Sequence, residues 1–374
     1  MGGTKVKSLL TTAVAALCFG ATAACRDFDC WGSTMCNEGE YSGVCDTPND
    51  CADTAIKFID DVIQIRGWRC RVTLEQIRLV LPDTVSKVGT EYTLYNKIWL
   101  RDGSILEIHG ASEASSPDAA VSLLKLKSDT TSSAPIIAWH GKLSILDTAI
   151  TSWDASLGGP DERLEGRAYI AALSGENGAQ TVVYTSRMDV EDSEISFLGN
   201  EGDYHNDIGT HRDVWRFTLP RYIVYHHIVE WGEGSRDCYG MKGDSNWTDN
   251  EIYDNYLNGM NPQDNSDGMT ISNNHVHDNG WHGIEFSKRC ERAVVHDNVV
   301  EDNARAGIFF HRSTDYAEAY NNVCRRNLEG DFGIVESTGV KVYDNVMEVS
   351  EQLSKQIQVY ISCTAGAGEE TMQM

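Results

Sequence analysis

Residues 238–346 repeat one short motif, which reads Tyr239-Gly240-Met241-Lys242, Asn258-Gly259-Met260-Asn261, His282-Gly283-Ile284-Glu285, Ala306-Gly307-Ile308-Phe309 and Phe332-Gly333-Ile334-Val335. A second motif, [Asp/Asn]-Asn-x-[Val/Ile]-x-x-Asn, lies between the copies. Its lead residues are Asn250, Asn274, Asn298, Asn322 and Asn345, which are 24, 24, 24 and 23 residues apart. A fixed period of this length, without a helical pattern, is typical of a stacked solenoid.

Three features of the repeat indicate the kind of solenoid. Apolar and polar residues alternate after each glycine, so the strands have one face inward. The spacing of leucine-rich repeats is missing. An asparagine at one place per turn can bond to the asparagines above and below it, and asparagine tolerates the left-handed backbone of a tight corner. The sequence therefore predicts an all-β protein, a right-handed parallel β-helix with about 24 residues per coil. The constant spacing disfavours the alternative, a β-sandwich with many Asp-Asn turns.

The chain has 374 residues, 11 cysteines and a formal net charge of −25 at pH 7. Residues 1–23 have the features of a secretory signal peptide: Lys5 and Lys7 near the start, a short apolar core, and a small-x-small site at 21–23. Cleavage would remove these two lysines and give a net charge of −25 − 2 = −27. We expect a secreted monomer, extracellular or in the cell wall, with no membrane segment after signal cleavage.

Cysteines are concentrated after the signal, at Cys25, Cys30, Cys36, Cys45, Cys51 and Cys70. In a secreted chain such a cluster is typical of a disulfide-stapled module, and the sequence does not choose among the possible pairings. Because a solenoid needs its open apolar ends covered, we interpret residues 24–75 as an N-terminal cap. Residues 76–350 then form the β-helix, and residues 351–374 form a frayed C-terminal tail.

Segments before and within the repeat resemble one enzyme family. Residues 98–103 (Ile-Trp-Leu-Arg-Asp-Gly), residues 106–110 (Leu-Glu-Ile-His-Gly) and the strand pair at 142–153 precede the repeat block. Over about residues 90–350 the chain resembles the mannuronan C5-epimerases of alginate-making organisms, most closely the exported single-module type. This resemblance implies an isomerase that converts β-D-mannuronate to α-L-guluronate within an anionic polysaccharide, alginate. A nucleic-acid partner is not expected.

The hallmark of that family is Tyr-Gly-x-Asp-Pro-His-Asp at the start of one coil. This sequence has Asn258-Gly259-Met260-Asn261-Pro262-Gln263-Asp264 at that place. The glycine, Pro262 and Asp264 match, whereas Asn258, Asn261 and Gln263 replace the tyrosine, the first aspartate and the histidine. One coil later, Ser287-Lys288 again resembles the family, which places a cation there to face the substrate carboxylate.

Epimerisation at C5 explains which residue types matter. The reaction removes a proton beside a carboxylate, so a cation neutralises the carboxylate, a base takes the proton and a donor returns one on the other face. Counting from each glycine places the candidates on one outer face, with bends at the charged residues that follow the strands. The catalytic candidates are His311, His282, Gln263, Asn261 and Asp264. The substrate-binding candidates are Lys242, Lys288, Arg289, Arg312, Asn258 and Pro262.

Among these candidates, His311 is the expected base, since neither Gln263 nor Asn261 can act as one. His282 is expected to line the same face or to cap a turn. Two alternatives share the pattern: a polyuronate lyase acting by β-elimination, and a non-catalytic polysaccharide-binding relative. No cofactor is expected, and no metal either, because the Asp-Asn turns lack the Gly-Gly-x-Gly-x-Asp pattern of calcium-binding repeats.

Overall fold

The computed structural model describes residues 49–67, 70–139, 141–163, 167–173, 175–176, 182–184, 186–199, 228–231, 246–263, 266–348 and 359–362. Within these ranges three long sheets run along the molecule, and their neighbouring strands are parallel except for two hairpins at the N-terminal end. A coil passes through the three sheets in turn, as in Lys97–Arg101, Ile105–His109 and Leu123–Lys127. This is a parallel β-helix.

Sheet A contains Asn49–Asp50, Cys70–Thr73, Ile105–His109, Lys142–Leu146, Arg187–Glu191, Asn246–Thr248, Thr270–Ser272, Val294–His296, Glu318–Tyr320 and Lys341–Tyr343. Sheet B contains Ile56–Ile59, Val62–Arg66, Lys97–Arg101, Ile136–Trp139, Ile170–Leu173, Ile228–Trp231, Asn261–Gln263, Ile284–Ser287, Ala306–His311, Gly330–Val335 and Val359–Ser362. Sheet C contains Val85–Val88, Glu91–Leu94, Leu123–Lys127, Ala149–Trp153, Glu194–Ser196, Glu251–Tyr253, His275–His277, Val299–Glu301, Val323–Arg325 and Val346–Glu348.

The remaining elements are short. Gly175–Glu176 and Val182–Tyr184 form a separate hairpin. The structure has one α-helix in its described residues, Leu74–Val80, and two 3-10 helices, Asp53–Ala55 and Pro117–Ala119. No helix within the described part of the chain has the length and apolar composition needed to cross a membrane.

The core is one continuous column of apolar side chains enclosed by the three sheets. In sheet B, Ile284 pairs in register with Ile308, and Phe286 pairs with Phe310, whose ring centroid lies 5.8 Å away. All four side chains are fully buried. Burial of each such side chain stabilises the fold by about 1.5–3 kcal/mol relative to exposure. The alternation of apolar and polar residues in the sequence therefore places the apolar side chains inside the coil.

Asparagine ladders join the coils at two corners. In the first ladder, the amide of each asparagine donates to the Oδ1 of the next, through Asn250, Asn274, Asn298, Asn322 and Asn345. The final asparagine of the same motif forms a second ladder, through Asn255, Asn279, Asn303 and Asn327. The predicted bonding between coils is confirmed. Except for the half-buried Asn345, these amides are buried, so each needs the partners that the ladder supplies.

The left-handed backbone at the first corner belongs to the residue before each ladder asparagine, not to the asparagine itself. These preceding residues are Asp249, Asn273, Asp297, Asn321 and Asp344, with φ between 53° and 58°. Asp and Asn adopt this conformation more readily than other non-glycine residues. The Asp-Asn pairing in the repeat thus has two separate causes, a turn and a ladder.

A short helix and a disulfide lie at the N-terminal end of the solenoid. Thr73 caps the helix by accepting a hydrogen bond from the backbone N–H of Gln76, and the helix buries Leu74 and Ile77 in the core. Cys51 and Cys70 are joined by a disulfide. The sheets reach further toward the N-terminus than residue 76, since Val62–Arg66 already pairs with Lys97–Arg101.

The expected features at both ends fall largely outside the described residues. These include the signal peptide 1–23 and four cysteines of the predicted N-terminal module, Cys25, Cys30, Cys36 and Cys45. Cys290 and Cys324 are buried, and the Cys290 thiol donates to the Ser287 carbonyl at 3.2 Å. One correction concerns the C-terminal tail, which was expected to be frayed. Val359–Ser362 instead pairs in parallel with residues 332–335 as a strand of sheet B.

Candidate active site

The outward face of sheet B brings together candidates from successive coils. One column contains Gln263, Ser287, His311 and Val335, each in register with the next. Neighbouring strands lie about 4.8 Å apart, so positions in one column are close enough to contact a single substrate unit. Two of the predicted residues, Gln263 and His311, therefore occupy the same column two coils apart.

The His311 imidazole lies beside the carboxylate of Glu285, which is not one of the residues predicted for the site. His311 Nδ1 is 3.8 Å from Oε1 of Glu285, and both side chains are only partly exposed. The other carboxylate oxygen of Glu285 accepts a hydrogen bond of 2.6 Å from Asn258 Nδ2. Asn258 is fully buried, so this contact holds Glu285 in place. The arrangement can orient the imidazole for proton transfer.

Phe309 packs between the two histidines. Its ring stacks on His282 at 4.5 Å and lies at a tilt 5.2 Å from the ring of His311. On the next coil, a Cβ added at Gly333 would lie 2.2 Å from Phe309 Cδ2. Only glycine leaves room for this ring, so Gly333 supports the position of Phe309.

In the last coil, the observed register differs from the one predicted by counting from the glycines. Counting from the glycines placed Ile334 in the same column as Ile308. In the structure Gly333 pairs with Phe309, and Ile334 pairs with Phe310, because the register is set by a 24-residue coil and not by the glycine. Gly307 instead lies against the carbonyl of Asp331. The fifth glycine motif is therefore displaced by two residues, although Ile334 still points into the core.

His282 is built into the wall of the coil. Its backbone N–H donates to Asn258 Oδ1 at 3.0 Å, and its Nδ1 accepts from the Ala306 N–H at 3.1 Å. These contacts continue from coil to coil as the asparagine ladders do. Burial lowers the pKa of His282 to about 4, so the ring is neutral at pH 7 with its proton on Nε2. Of its two expected roles, the geometry favours the structural one.

The cations follow the strands as expected from the sequence. The strands end at Ser287 and His311, and the next residues, Lys288 and Arg312, have positive φ values of 63° and 54°. The predicted bend is confirmed. The Lys288 N–H donates to the His311 carbonyl at 3.0 Å, and the Arg289 N–H donates to the Arg312 carbonyl at 2.9 Å. Lys288 and Arg289 are half-buried and Arg312 is exposed.

The remaining candidates are placed less completely. Asn261 is fully buried, and among the described residues neither its Oδ1 nor its Nδ2 has a hydrogen-bond partner. Pro262 is also buried. The backbone of Gln263 lies in its strand, whereas Lys242 and Asp264 lie outside the described residues. Glu285 could have been found from the sequence. It lies two residues after Gly283, which is the repeat position of Lys242, Asn261 and Phe309.

Comparisons with known proteins identify the class of fold. The sequence matches a family model described as "Right handed beta helix region" over residues 176–349. Among solved structures it is similar to a variant of the periplasmic alginate epimerase AlgG, with a TM-score of 0.52 and 16% sequence identity over 76% of this chain and 64% of that chain. It is also similar to the A-module of the Azotobacter vinelandii mannuronan C-5 epimerase AlgE4, with a TM-score of 0.39 and 14% identity over 80% and 74% of the two chains. No curated protein sequence matches.

The protein is therefore a right-handed parallel β-helix, as predicted. Its resemblance to the mannuronan C5-epimerases is confirmed at the level of the fold. The chain spans 64% of the AlgG variant, slightly less than two thirds of its length.

Proposed function

We propose that this protein is an exported, monomeric epimerase that inverts C5 of β-D-mannuronate units within alginate. The observation that carries the proposal is the position of His311 on the outer face of sheet B, 3.8 Å from Glu285. Cations follow the strand ends of the same two coils, at Lys288 and Arg312. A base beside a carboxylate-binding cation is the combination that C5 proton abstraction requires.

Binding places the uronate carboxylate near the cations. The C5 proton is weakly acidic while the carboxylate is charged, so a contact from Lys288 or Arg312 lowers the barrier to proton removal. Because the chain carries a net charge of −25, it repels a polyanion at most of its surface. A local basic strip is therefore what directs the polymer to this face.

His311 then takes the proton from C5, and the sugar ring receives a proton from solvent on the opposite face. One proton leaves and one returns, so the reaction needs no cofactor and no net redox change. Glu285 is the positioning residue for the imidazole, since it lies within 3.8 Å of Nδ1 and is itself held by Asn258.

The test is proton NMR of polymannuronate incubated with the mature protein in D2O. Guluronate signals with deuterium at C5 support the epimerase. Unsaturated chain ends would instead identify a lyase, which shares proton abstraction and then expels the 4-O substituent. An unchanged polymer that still binds the protein would identify a non-catalytic binder, and either of these results overturns the proposal.

A further inference from the structure

A cluster of metal-binding side chains lies on sheet C, away from the candidate active site on sheet B. His275 and His277 are two residues apart on one strand, so both point outward from the same face. Glu251 is the register partner of His275 on the preceding coil. One ligand atom from each of the three residues lies within 4.8 Å of the others.

The distances within the cluster fit a small divalent cation. Oε1 of Glu251 is 3.4 Å from His277 Nε2 and 3.9 Å from His275 Nδ1. A tetrahedral zinc ion with bonds of about 2.0–2.1 Å holds its ligand atoms roughly 3.3 Å apart. The contact of Glu251 with His277 already fits this spacing, and side-chain rotation at the exposed Glu251 and the half-buried His275 would bring the third ligand to it.

The remaining ring nitrogens are each held by a carboxylate. His275 Nε2 lies 2.8 Å from Glu301 Oε1, and His277 Nδ1 lies 2.8 Å from Asp278 Oδ2. Metal-binding histidines almost always donate their second N–H in this way, which fixes the tautomer and leaves the other nitrogen to bind the metal. Both imidazoles have this arrangement. One ring nitrogen contacts a carboxylate outside the cluster, and the other ring nitrogen faces Glu251.

The surroundings keep this arrangement fixed. Arg325 and Arg326 donate hydrogen bonds to Glu301 Oε2, which holds the Glu301 carboxylate beside His275. The Tyr253 ring stacks on His277 at 5.2 Å with an interplanar angle of 4°. The Glu251 carboxylate faces His275 Nδ1 and His277 Nε2, the two ring nitrogens that do not contact Glu301 or Asp278.

We propose that Glu251, His275 and His277 form a binding site for Zn²⁺ or a similar divalent transition-metal ion, with water in the fourth position. Two nitrogen ligands and one carboxylate suit this class of ion better than calcium, which prefers oxygen alone. The site joins two neighbouring coils, so the ion stabilises the folded state, in which all three ligands are together. It is independent of the activity proposed for sheet B.

The test is calorimetric titration of Zn²⁺ into untagged, metal-free mature protein, together with the melting temperature with and without zinc. Compared with the wild type, His275→Ala and His277→Ala are each expected to bind one zinc ion fewer per chain and to lose part of the zinc-induced rise in melting temperature. Glu301→Gln keeps the ligands and is expected to weaken binding by about 10–100-fold.

The matched control is His296→Ala. His296 also faces a carboxylate, with Nδ1 2.7 Å from Asp297 Oδ2, and stacks on a tyrosine, but it lies on sheet A outside the cluster. Its loss should leave zinc binding at the cluster unchanged. The same zinc stoichiometry and affinity in the wild type and in His275→Ala and His277→Ala, or no zinc binding by the wild type, would overturn the proposal. Binding of Co²⁺ with visible absorption typical of tetrahedral coordination would support it further.

Discussion

His311 Nδ1 lies 3.8 Å from Glu285 Oε1, and the two residues belong to neighbouring coils of sheet B. A coil that moves relative to its neighbour therefore changes the distance between imidazole and carboxylate. Asn258 extends the connection to a third coil through its 2.6 Å bond to Glu285. The chemistry proposed for His311 thus depends on how neighbouring coils stack. Single substitutions can distinguish the catalytic role of His311 from the packing that positions it.

Replacing His311 by alanine is expected to abolish turnover without weakening polymer binding. General base catalysis contributes about 10²–10⁴-fold to a rate, so kcat should fall by at least that amount. His296→Ala is the matched control, because His296 has similar exposure, 23% against 22%, but lies on sheet A. The measurement is kcat by NMR and affinity by polymer titration. Unchanged turnover in His311→Ala would remove the assignment of the base.

Replacing Lys288 by alanine is expected to weaken binding of polymannuronate. Loss of one charged hydrogen bond costs about 1.5–3 kcal/mol, which corresponds to roughly 10–100-fold in affinity. Lys341→Ala is the control, since Lys341 is an exposed lysine of sheet A that pairs with Glu318. The dissociation constant should be measured at two salt concentrations, because salt screens this contact. Equal affinity of the two variants would argue against Lys288 as a substrate contact.

Replacing His282 by asparagine is expected to make the protein less sensitive to acid. The folded-state pKa of His282 is about 4, below its ordinary value near 6.5, so the unfolded chain takes up a proton first as the pH falls. The stability that His282 contributes is complete above pH 6.5 and is lost between pH 6.5 and 4, by about 3 kcal/mol. An asparagine Oδ1 can still accept from the Ala306 N–H, as Asn258 Oδ1 accepts from residue 282.

Urea unfolding at pH 7 and pH 4.5 measures this effect. The wild type should lose more stability between the two pH values than His282→Asn does. The pKa values of Glu75 and Glu301 are lowered to about 2, so the stability that these carboxylates contribute is lost mainly below this pH range. That loss is the same in both proteins. The same pH dependence in the two proteins would mean that burial of His282 does not determine the acid sensitivity.

The repeat made the fold predictable, but it did not determine every contact of the site. Asn274 and Asn298 recur at the coil period because each must pair with the next, so their spacing gave both the coil length and the ladder. Counting from Gly333 gave the wrong register because this glycine has a local role. It makes room for the Phe309 ring and does not mark a fixed position in the coil. The Glu285–Asn258 bond crosses between coils, and no pattern within one coil reveals such a pair.

Replacing Gly333 by alanine is expected to disturb the site without touching a catalytic group. The new Cβ would lie 2.2 Å from the Phe309 ring, so the ring must shift, and with it the ring contacts to His282 and His311. Such overpacking typically costs 1–3 kcal/mol, roughly the loss we expect in the free energy of unfolding. We also expect turnover to fall as His311 moves relative to Glu285.

Two further variants test whether Phe309 transmits the effect of Gly333→Ala. Gly159→Ala is the matched control, because an added Cβ at Gly159 meets no atom within 4 Å, and it should change neither stability nor turnover. Combining Gly333→Ala with Phe309→Leu replaces the ring by a smaller, flexible side chain and should recover part of the lost stability. If Gly333→Ala is as stable as the wild type and the double variant gains nothing, Phe309 is not held by this contact, and the support that we assign to Gly333 is absent.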